Sequence, residues 1–135
     1  MNLALRILTA LGLFIDAAVH LHLAPGYPPA GPGQIGQGSL FLLEGAAALL
    51  AGLYVLIRGS RAAYAAALVV ASSGFVAVVL YRYVDVPAFG PIPAMYDPVW
   101  FFEKSLSAVA EGAATVFAAM GLVHSAPRRQ RVNAP

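Results

Sequence analysis

Four apolar stretches constrain this chain more than any other feature. They cover residues 3–23, 39–57, 62–84 and 99–123. About 20 helical residues cross the ~30 Å hydrocarbon core of a bilayer, and inside lipid every backbone polar group must be paired within its own segment. None of the four stretches has the polar face of a helix that meets water. The sequence therefore predicts an all-α protein, a single-domain bundle of four transmembrane helices.

The low charge content also favours a lipid environment. Only 10% of the 135 residues are charged and 60% are apolar, whereas soluble domains carry about 25% charged residues. The chain has no cysteine, which excludes disulfide bonds, thiolate metal sites and CxxC redox chemistry. It also lacks a glycine-rich phosphate loop, a nucleophile elbow and an HExxH motif. We therefore expect a non-enzymatic protein whose surroundings are the lipid bilayer, with no nucleic-acid partner.

The basic residues predict the orientation, because cytoplasmic ends of membrane helices are enriched in Lys and Arg. Six of the eight Lys and Arg residues lie at one end of the predicted bundle: Arg6, Arg58, Arg61, Arg128, Arg129 and Arg131. We therefore expect both termini in the cytoplasm, with residues 128–135 as a basic cytoplasmic tail. The expected location is the plasma membrane of a bacterium.

The connections between the helices differ on the two sides. On the cytoplasmic side, residues 58–61 form a link so short that helices 2 and 3 should make an antiparallel hairpin. The two outer connections, residues 24–38 and 85–98, are rich in proline and glycine and should form turns or extended segments. Asp97 and Pro98 are expected to begin the fourth helix. The aromatic residues of the second outer connection either lie at the lipid headgroups or cover a site beneath.

Ionisable side chains within the spans are the candidate functional residues, because each costs about 2.5–3.5 kcal/mol on insertion scales. Counted from the outer helix ends at ~1.5 Å per residue, His20, Glu44 and Glu103 lie at a similar depth on three different helices. Asp16 lies one turn deeper than His20 and shares its helical face. The candidate ligand residues are therefore Asp16, His20, Glu44 and Glu103.

Three interpretations of these residues stay open. In the first, His20, Glu44 and Glu103 bind a small ligand or a divalent metal ion such as zinc, manganese or iron, since one imidazole with carboxylates suits these metals. In the second, the protein is a proton-coupled transporter of small solutes, with a relay through deeper acids. In the third, it is a structural scaffold held by buried salt bridges. The candidates for the relay or the salt bridges are Arg82, Lys104, Ser107 and Glu111.

Residues 43–53, with the sequence LEGAAALLAGL, resemble the second-helix pattern of the DoxX-like family of small four-helix membrane proteins. Arg6, the single arginine at the start of helix 1, also fits that pattern. The resemblance covers roughly residues 4–123 and implies the four-helix fold, with Glu44 as an intramembrane acid of the family type. The resemblance further implies an accessory subunit of a membrane redox complex.

Small residues on helices 2 and 4 would also allow two copies of the chain to pack closely, so a homo-oligomer is a second expected assembly.

Overall fold

The computed structural model describes residues 2–127, which form a bundle of four helices. The helices are α1 (Leu3–Leu23), α2 (Gln37–Arg58), α3 (Arg61–Tyr83) and α4 (Phe102–His124). Each is long and apolar enough to cross a membrane, and residues 2–127 contain no β-strand. The predictions of an all-α fold and of four helices of spanning length are confirmed. The predicted basic tail lies outside the described residues.

The helices form a ring in chain order, in which α1 and α3 each pack against both α2 and α4. We call the end that carries the Gly59–Ser60 turn the turn end. The opposite end, which carries residues 24–36 and 84–101, is the loop end, and the two corresponding parts of the bundle are the turn half and the loop half. The contact between α2 and α3 is the least extensive of the four neighbouring pairs.

At the turn end, the expected α2–α3 hairpin is closed by local chemistry. Gly59 ends α2 with a φ of +54°, a left-handed conformation that glycine adopts without steric cost. Ser60 then caps α3, because its side chain accepts a hydrogen bond from the backbone N–H of Ala63 at 3.2 Å. Arg6 of α1 donates to the carbonyl of Ile57 at 3.1 Å, so a cation satisfies the last, otherwise unpaired carbonyls of α2.

The turn half has a close-packed apolar core. Tyr64 of α3 is 1% exposed and packs directly on Gly121 of α4. Gly12 of α1 permits a similarly close approach, since a Cβ atom there would lie 3.0 Å from the Ala110 carbonyl oxygen of α4. Small residues at such points let helices pack tightly without a hydrophobic driving force. The remaining buried members of this core include Leu5, Leu13, Val55, Ala63, Ala67, Ala71, Ala114 and Ala118.

The outward-facing side chains of the bundle are apolar as well. Ile57, Val109 and Val123 are 70%, 71% and 72% exposed, and they belong to a long series of exposed aliphatic and aromatic residues on all four helices. Soluble monomers rarely expose contiguous apolar patches of this extent. The surface therefore suits lipid, in agreement with the length and composition of the helices.

At the loop end, the two proline- and glycine-rich segments contact each other. Phe89 and Ile92 pair in a short antiparallel bridge around Gly90, which has a φ of +55°. The backbone N–H of Ile35 donates to the carbonyl of Pro91 at 2.7 Å. The two segments therefore form one layer over the loop half of the bundle, with the turns and extended stretches that the sequence predicts.

The fourth helix begins at Phe102, three residues later than predicted, and Asp97 and Pro98 do not begin it. Lys104 explains the difference, because its Nζ donates to the backbone carbonyls of Asp97 and Val99 at 2.5 and 3.2 Å. The Asp97 side chain in turn accepts from the backbone N–H of Val99 at 3.3 Å. These bonds hold the chain before α4 in a non-helical conformation, so the prediction for this helix start was wrong.

Candidate functional site

A group of buried and half-buried polar side chains lies inside the loop half of the bundle. We call it the polar cluster, and it comprises Asp16 and His20 of α1, Glu44 of α2, and Ser107 and Glu111 of α4. Asp16 and Glu111 are 0% and 1% exposed. Ionisable groups at such depth are costly in a membrane helix and mark functional sites by default. The cluster is therefore the candidate site.

Asp16 and His20 form the best-defined pair of the cluster. They lie one helical turn apart, and the His20 Nδ1 is 2.8 Å from Asp16 Oδ1 and 3.1 Å from the Asp16 backbone carbonyl. Because both partners are acceptors, Nδ1 carries a proton and donates it. Nε2 on the other side of the ring takes no part in this pairing. A carboxylate that holds one imidazole nitrogen in this way orients the other nitrogen for a ligand.

Ser107 connects Asp16 to Glu111. Its Oγ lies 3.0 Å from Asp16 Oδ1 and 3.1 Å from Glu111 Oε1. A serine hydroxyl has one hydrogen to donate, so both contacts are hydrogen bonds only when one of the carboxyl groups is protonated and donates to Oγ. With that one proton in place, a continuous hydrogen-bonded chain runs from His20 through Asp16 and Ser107 to Glu111.

Glu44 joins the cluster from α2, and Gly74 of α3 makes room for it. A Cβ atom at Gly74 would lie 2.8 Å from Glu44 Oε1 and 2.8 Å from Glu111 Oε1. The two carboxyl oxygens are therefore separated by no more than twice that distance. The absence of a side chain at Gly74 is what allows both carboxyl groups to face this point of α3.

With every carboxyl group counted as an ionised acceptor, three carboxyl oxygens of the cluster lack a hydrogen-bond donor. They are Asp16 Oδ2, Glu44 Oε1 and Glu111 Oε2. Buried polar atoms are almost always paired in folded proteins, and unpaired ones call for an explanation such as a functional role or a bound ion or water. Three such oxygens within one small site could accept hydrogen bonds from a ligand or coordinate a cation.

The geometry favours a different set of metal ligands from the predicted one. Asp16, His20 and Glu111 each offer a ligand atom, and these atoms all lie within 4.8 Å of one another. Glu44 does not belong to this group but lies close to it across Gly74, and Glu103 neither belongs to it nor forms an ion pair among residues 2–127. At about 100° per residue, Glu103 lies roughly 80° around α4 from Glu111. The structure therefore does not bring Glu103 together with Asp16, His20 and Glu111.

The predicted basic partners lie outside the cluster. Lys104 is 8% exposed, and its ion pair is with Asp97 at 3.4 Å. Arg82 stacks on Tyr83 and Trp100, with its Cζ 4.7 and 5.7 Å from the two ring centroids. Within the described part of the chain, the only ion pair that involves a cluster acid is the one between Asp16 and His20. The cluster therefore holds three carboxyl groups against one imidazole.

Next to the polar cluster lies a cavity of about 510 Å³, which we call the α2–α3 cavity. More than half of its lining residues belong to these two helices, and Glu44, His20 and Ser107 form part of its wall. Most of the rest is aliphatic or aromatic, including Phe41 and Tyr81. Its volume falls in the range of small-molecule sites, about 300–1,000 Å³. The cluster thus forms the polar part of a larger, mainly apolar space.

Aromatic rings connect the cluster to the loop end. The ring of Phe41 lies edge-on to His20, with centroids 5.1 Å apart, and Tyr27 packs on Phe41 at 4.6 Å. Tyr27 belongs to the first loop segment, residues 24–36. Burial and the negative charge of Asp97 raise the pKa of the Tyr27 hydroxyl. Tyr27 and Asp97 both line the cavity. The loop layer therefore covers the site, although Phe89 and Tyr96, the aromatic residues of the second outer connection for which a covering role was considered, do not line the cavity.

Sequence reasoning missed Gly74 and the cavity beside it. The signal was present in part, since Ser72, Ser73 and Gly74 interrupt the aliphatic run of the third helix. From sequence, Glu111 was also assigned to the relay or the salt bridges and not to the metal ligands.

The chain matches no protein-family model, no curated protein and no solved structure. The evidence for its function is therefore the site itself.

Proposed function

We propose that the protein spans a membrane and binds a cationic ligand at the polar cluster. The observation that carries the proposal is the convergence of three carboxyl groups from three helices on one buried site. Three of their oxygens accept no hydrogen bond. An uncompensated carboxylate inside a bundle is strongly destabilising, and a bound cation removes this penalty.

The proposed orientation places the loop end outside the cell. Arg6, Arg58 and Arg61 lie at the turn end, where the positive-inside rule predicts the cytoplasm. Glu44 is about 10 Å from the start of α2 at ~1.5 Å per residue. The cluster would then lie in the outer half of the bilayer, under the loop layer.

A divalent metal ion is the first cation to consider. Asp16 holds His20 through Nδ1, which leaves Nε2 for a metal, as in carboxylate–histidine–metal arrangements. Glu44 and Glu111 would supply carboxylate oxygens. One nitrogen with several oxygens suits zinc, manganese or iron.

Metal binding by the purified protein tests this proposal. We expect saturable binding of a divalent ion by the wild type, with a loss of about tenfold or more in affinity when a proposed ligand group is removed in Glu44→Gln or His20→Ala. Glu103→Gln is the matched control, because it removes an acid that lies outside the cluster. Equal binding by wild type and all three variants would refute a metal at this site.

A second candidate function is proton-coupled transport, which the Ser107 bridge favours. The chain from His20 to Glu111 is hydrogen-bonded throughout, as a proton relay requires. In proteoliposomes, a pH gradient should then drive solute flux that Asp16→Asn and Glu111→Gln abolish while Glu103→Gln retains it. Flux that persists in Asp16→Asn would argue against the relay.

A further inference from the structure

The α2–α3 cavity carries a more specific inference about the ligand, which rests on the proposed function. We propose that the cavity binds an organic amine, with its ammonium group at Glu44 and an apolar body between α2 and α3. The proposal stands on the size of the cavity, the composition of its wall, the direction in which it opens and the charge of its polar end.

The size of the cavity exceeds the needs of a metal ion. A bare ion fits among ligand atoms that already lie within 4.8 Å of one another, whereas the cavity measures about 510 Å³. On α3 its wall extends from Val69 to Tyr81, which is about 18 Å at 1.5 Å per residue. The cavity therefore accommodates an organic molecule larger than a metal ion, and only the polar end of that molecule would lie at the cluster.

The wall indicates that this body is apolar. The residues beyond the polar cluster are mainly aliphatic and aromatic, with Leu40, Phe41, Val70, Ala77 and Val78 among them. Small-molecule sites combine such a wall with a few convergent polar groups. Here those groups are on the α1, α2 and α4 sides of the cavity, next to the gap that Gly74 leaves.

The cavity opens toward the lipid-facing surface. Leu43 of α2 and Val69 of α3 both line it, yet they are 68% and 66% exposed. They lie at the junction of α2 and α3, the least extensive of the neighbouring contacts in the bundle. A ligand that partitions into the bilayer could therefore enter between these two helices.

The charge of the polar end favours an amine over a neutral or acidic amphiphile, because the one lysine that lines the cavity, Lys104, is already paired with Asp97 at 3.4 Å. Glu44 lines the cavity and its Oε1 accepts no hydrogen bond. Asp16 and Glu111, both at most 1% exposed, do not line the cavity but belong to the cluster beside it. An ammonium group supplies both a positive charge and three hydrogen-bond donors. The aromatic rings of Phe41 and Tyr81 can add cation–π attraction within about 6 Å.

The test compares two probes of nearly equal shape, 4-phenylbutylamine and 4-phenylbutanol, on wild-type protein in nanodiscs, with empty nanodiscs as the partition background. We expect saturable binding of the amine and binding of the alcohol weaker by about tenfold or more, because the alcohol lacks a charge-assisted hydrogen bond. Equal binding of amine and alcohol, or no binding above the empty nanodiscs, would overturn the proposal.

Variants locate the two parts of the ligand. Glu44→Gln should weaken amine binding by about tenfold or more, whereas Glu103→Gln should leave it unchanged. Ala77→Phe fills the cavity, and Ala46→Phe is its control on the exposed face of α2. Ser73→Leu narrows the same wall and serves as a second variant if Ala77→Phe does not fold. Amine binding that survives both cavity-filling variants would overturn the assignment of the apolar body.

Divalent metal titration of the same samples separates this inference from the proposed function. Metal binding that is lost in Glu44→Gln, with no amine binding by the wild type, would overturn the amine proposal and support the cation site. If the wild type binds neither the metal nor the amine, both proposals are overturned. Amine binding that a divalent ion displaces would place both ligands at the one site.

Discussion

The two halves of this bundle are built from the same four helices but on different principles. In the turn half, Tyr64 fits against Gly121 and the helices approach closely. In the loop half, ionisable groups such as Glu44 occupy the interior next to a cavity of about 510 Å³. Tight apolar packing stabilises a fold, whereas unpaired polar groups and empty space cost stability. The comparison indicates that the turn half contributes most to the stability of the bundle, whereas the loop half has the polar groups and the space that the proposed ligand site requires.

The largest effect should follow from removing the main side chain of the turn-half core. Tyr64→Ala leaves a large void at a position that is 1% exposed, and aromatic-to-alanine changes in cores cost about 3–5 kcal/mol. Tyr54→Ala is the control, because Tyr54 is 40% exposed. Reversible unfolding in detergent would measure both. Similar losses for the two variants would contradict the assignment of the stabilising core to the turn half.

A smaller loss should follow from overfilling the same core. Gly121→Ala places a methyl group against the ring of Tyr64, and overpacking of this kind costs about 1–3 kcal/mol. Gly26→Ala is a suitable control, since nothing lies within 4 Å of its new Cβ atom. The midpoint of thermal unfolding should fall for Gly121→Ala and stay unchanged for Gly26→Ala. An unchanged midpoint in both would show that the turn half is loosely packed.

The loop half should respond in the opposite direction. Glu44→Gln removes an acid whose Oε1 has no hydrogen-bond partner while it keeps the shape of the side chain. We expect the free energy of unfolding without ligand to stay the same or rise by about 1 kcal/mol, because a half-buried acid is replaced by a neutral amide. The same detergent assay applies. A large loss of stability would mean that Glu44 is a structural residue.

The smallest effect concerns the loop layer. Burial and the charge of Asp97 raise the pKa of Tyr27, so protonated Tyr27 contributes stability that is present below the pKa of an unfolded tyrosine, about 10. This contribution disappears as the pH rises through the folded pKa. Asp97→Asn should lower the Tyr27 pKa, which ultraviolet titration against Tyr27→Phe would measure. An unchanged pKa would place Asp97 away from Tyr27.

The same contrast explains what could be predicted from sequence. The helices were predictable because apolar length alone requires them, and the pairing of Asp16 with His20 follows from their spacing of one turn. Glu103 shows the limit of that reasoning. Depth along a helix follows from counting residues, but direction around the bundle depends on how the helices pack. For the same reason, the role of Gly74 and the cavity beside it became visible only in the folded structure.

The predicted start of α4 was wrong for a related reason. Asp97 and Pro98 form a good local signal for a helix start, yet Lys104 binds the backbone carbonyl of Asp97 and keeps that segment out of the helix. A side chain seven residues away thus outweighs the local preference. The prediction used the local signal alone and could not include this contact.

The central claim is that a cation binds at Glu44 and reaches it through the α2–α3 cavity. Chemical labelling by a hydrophobic carbodiimide, which reaches carboxyl groups from the lipid phase, tests this claim most directly. Mass spectrometry of the wild type in nanodiscs should find the adduct on Glu44, which lines the cavity, and saturating 4-phenylbutylamine or divalent metal should prevent it. Ala77→Phe should reduce the labelling, and Ala46→Phe should not. Labelling of Glu103 instead of Glu44, or labelling of Glu44 that no cation prevents, would contradict a cation site reached through the α2–α3 cavity.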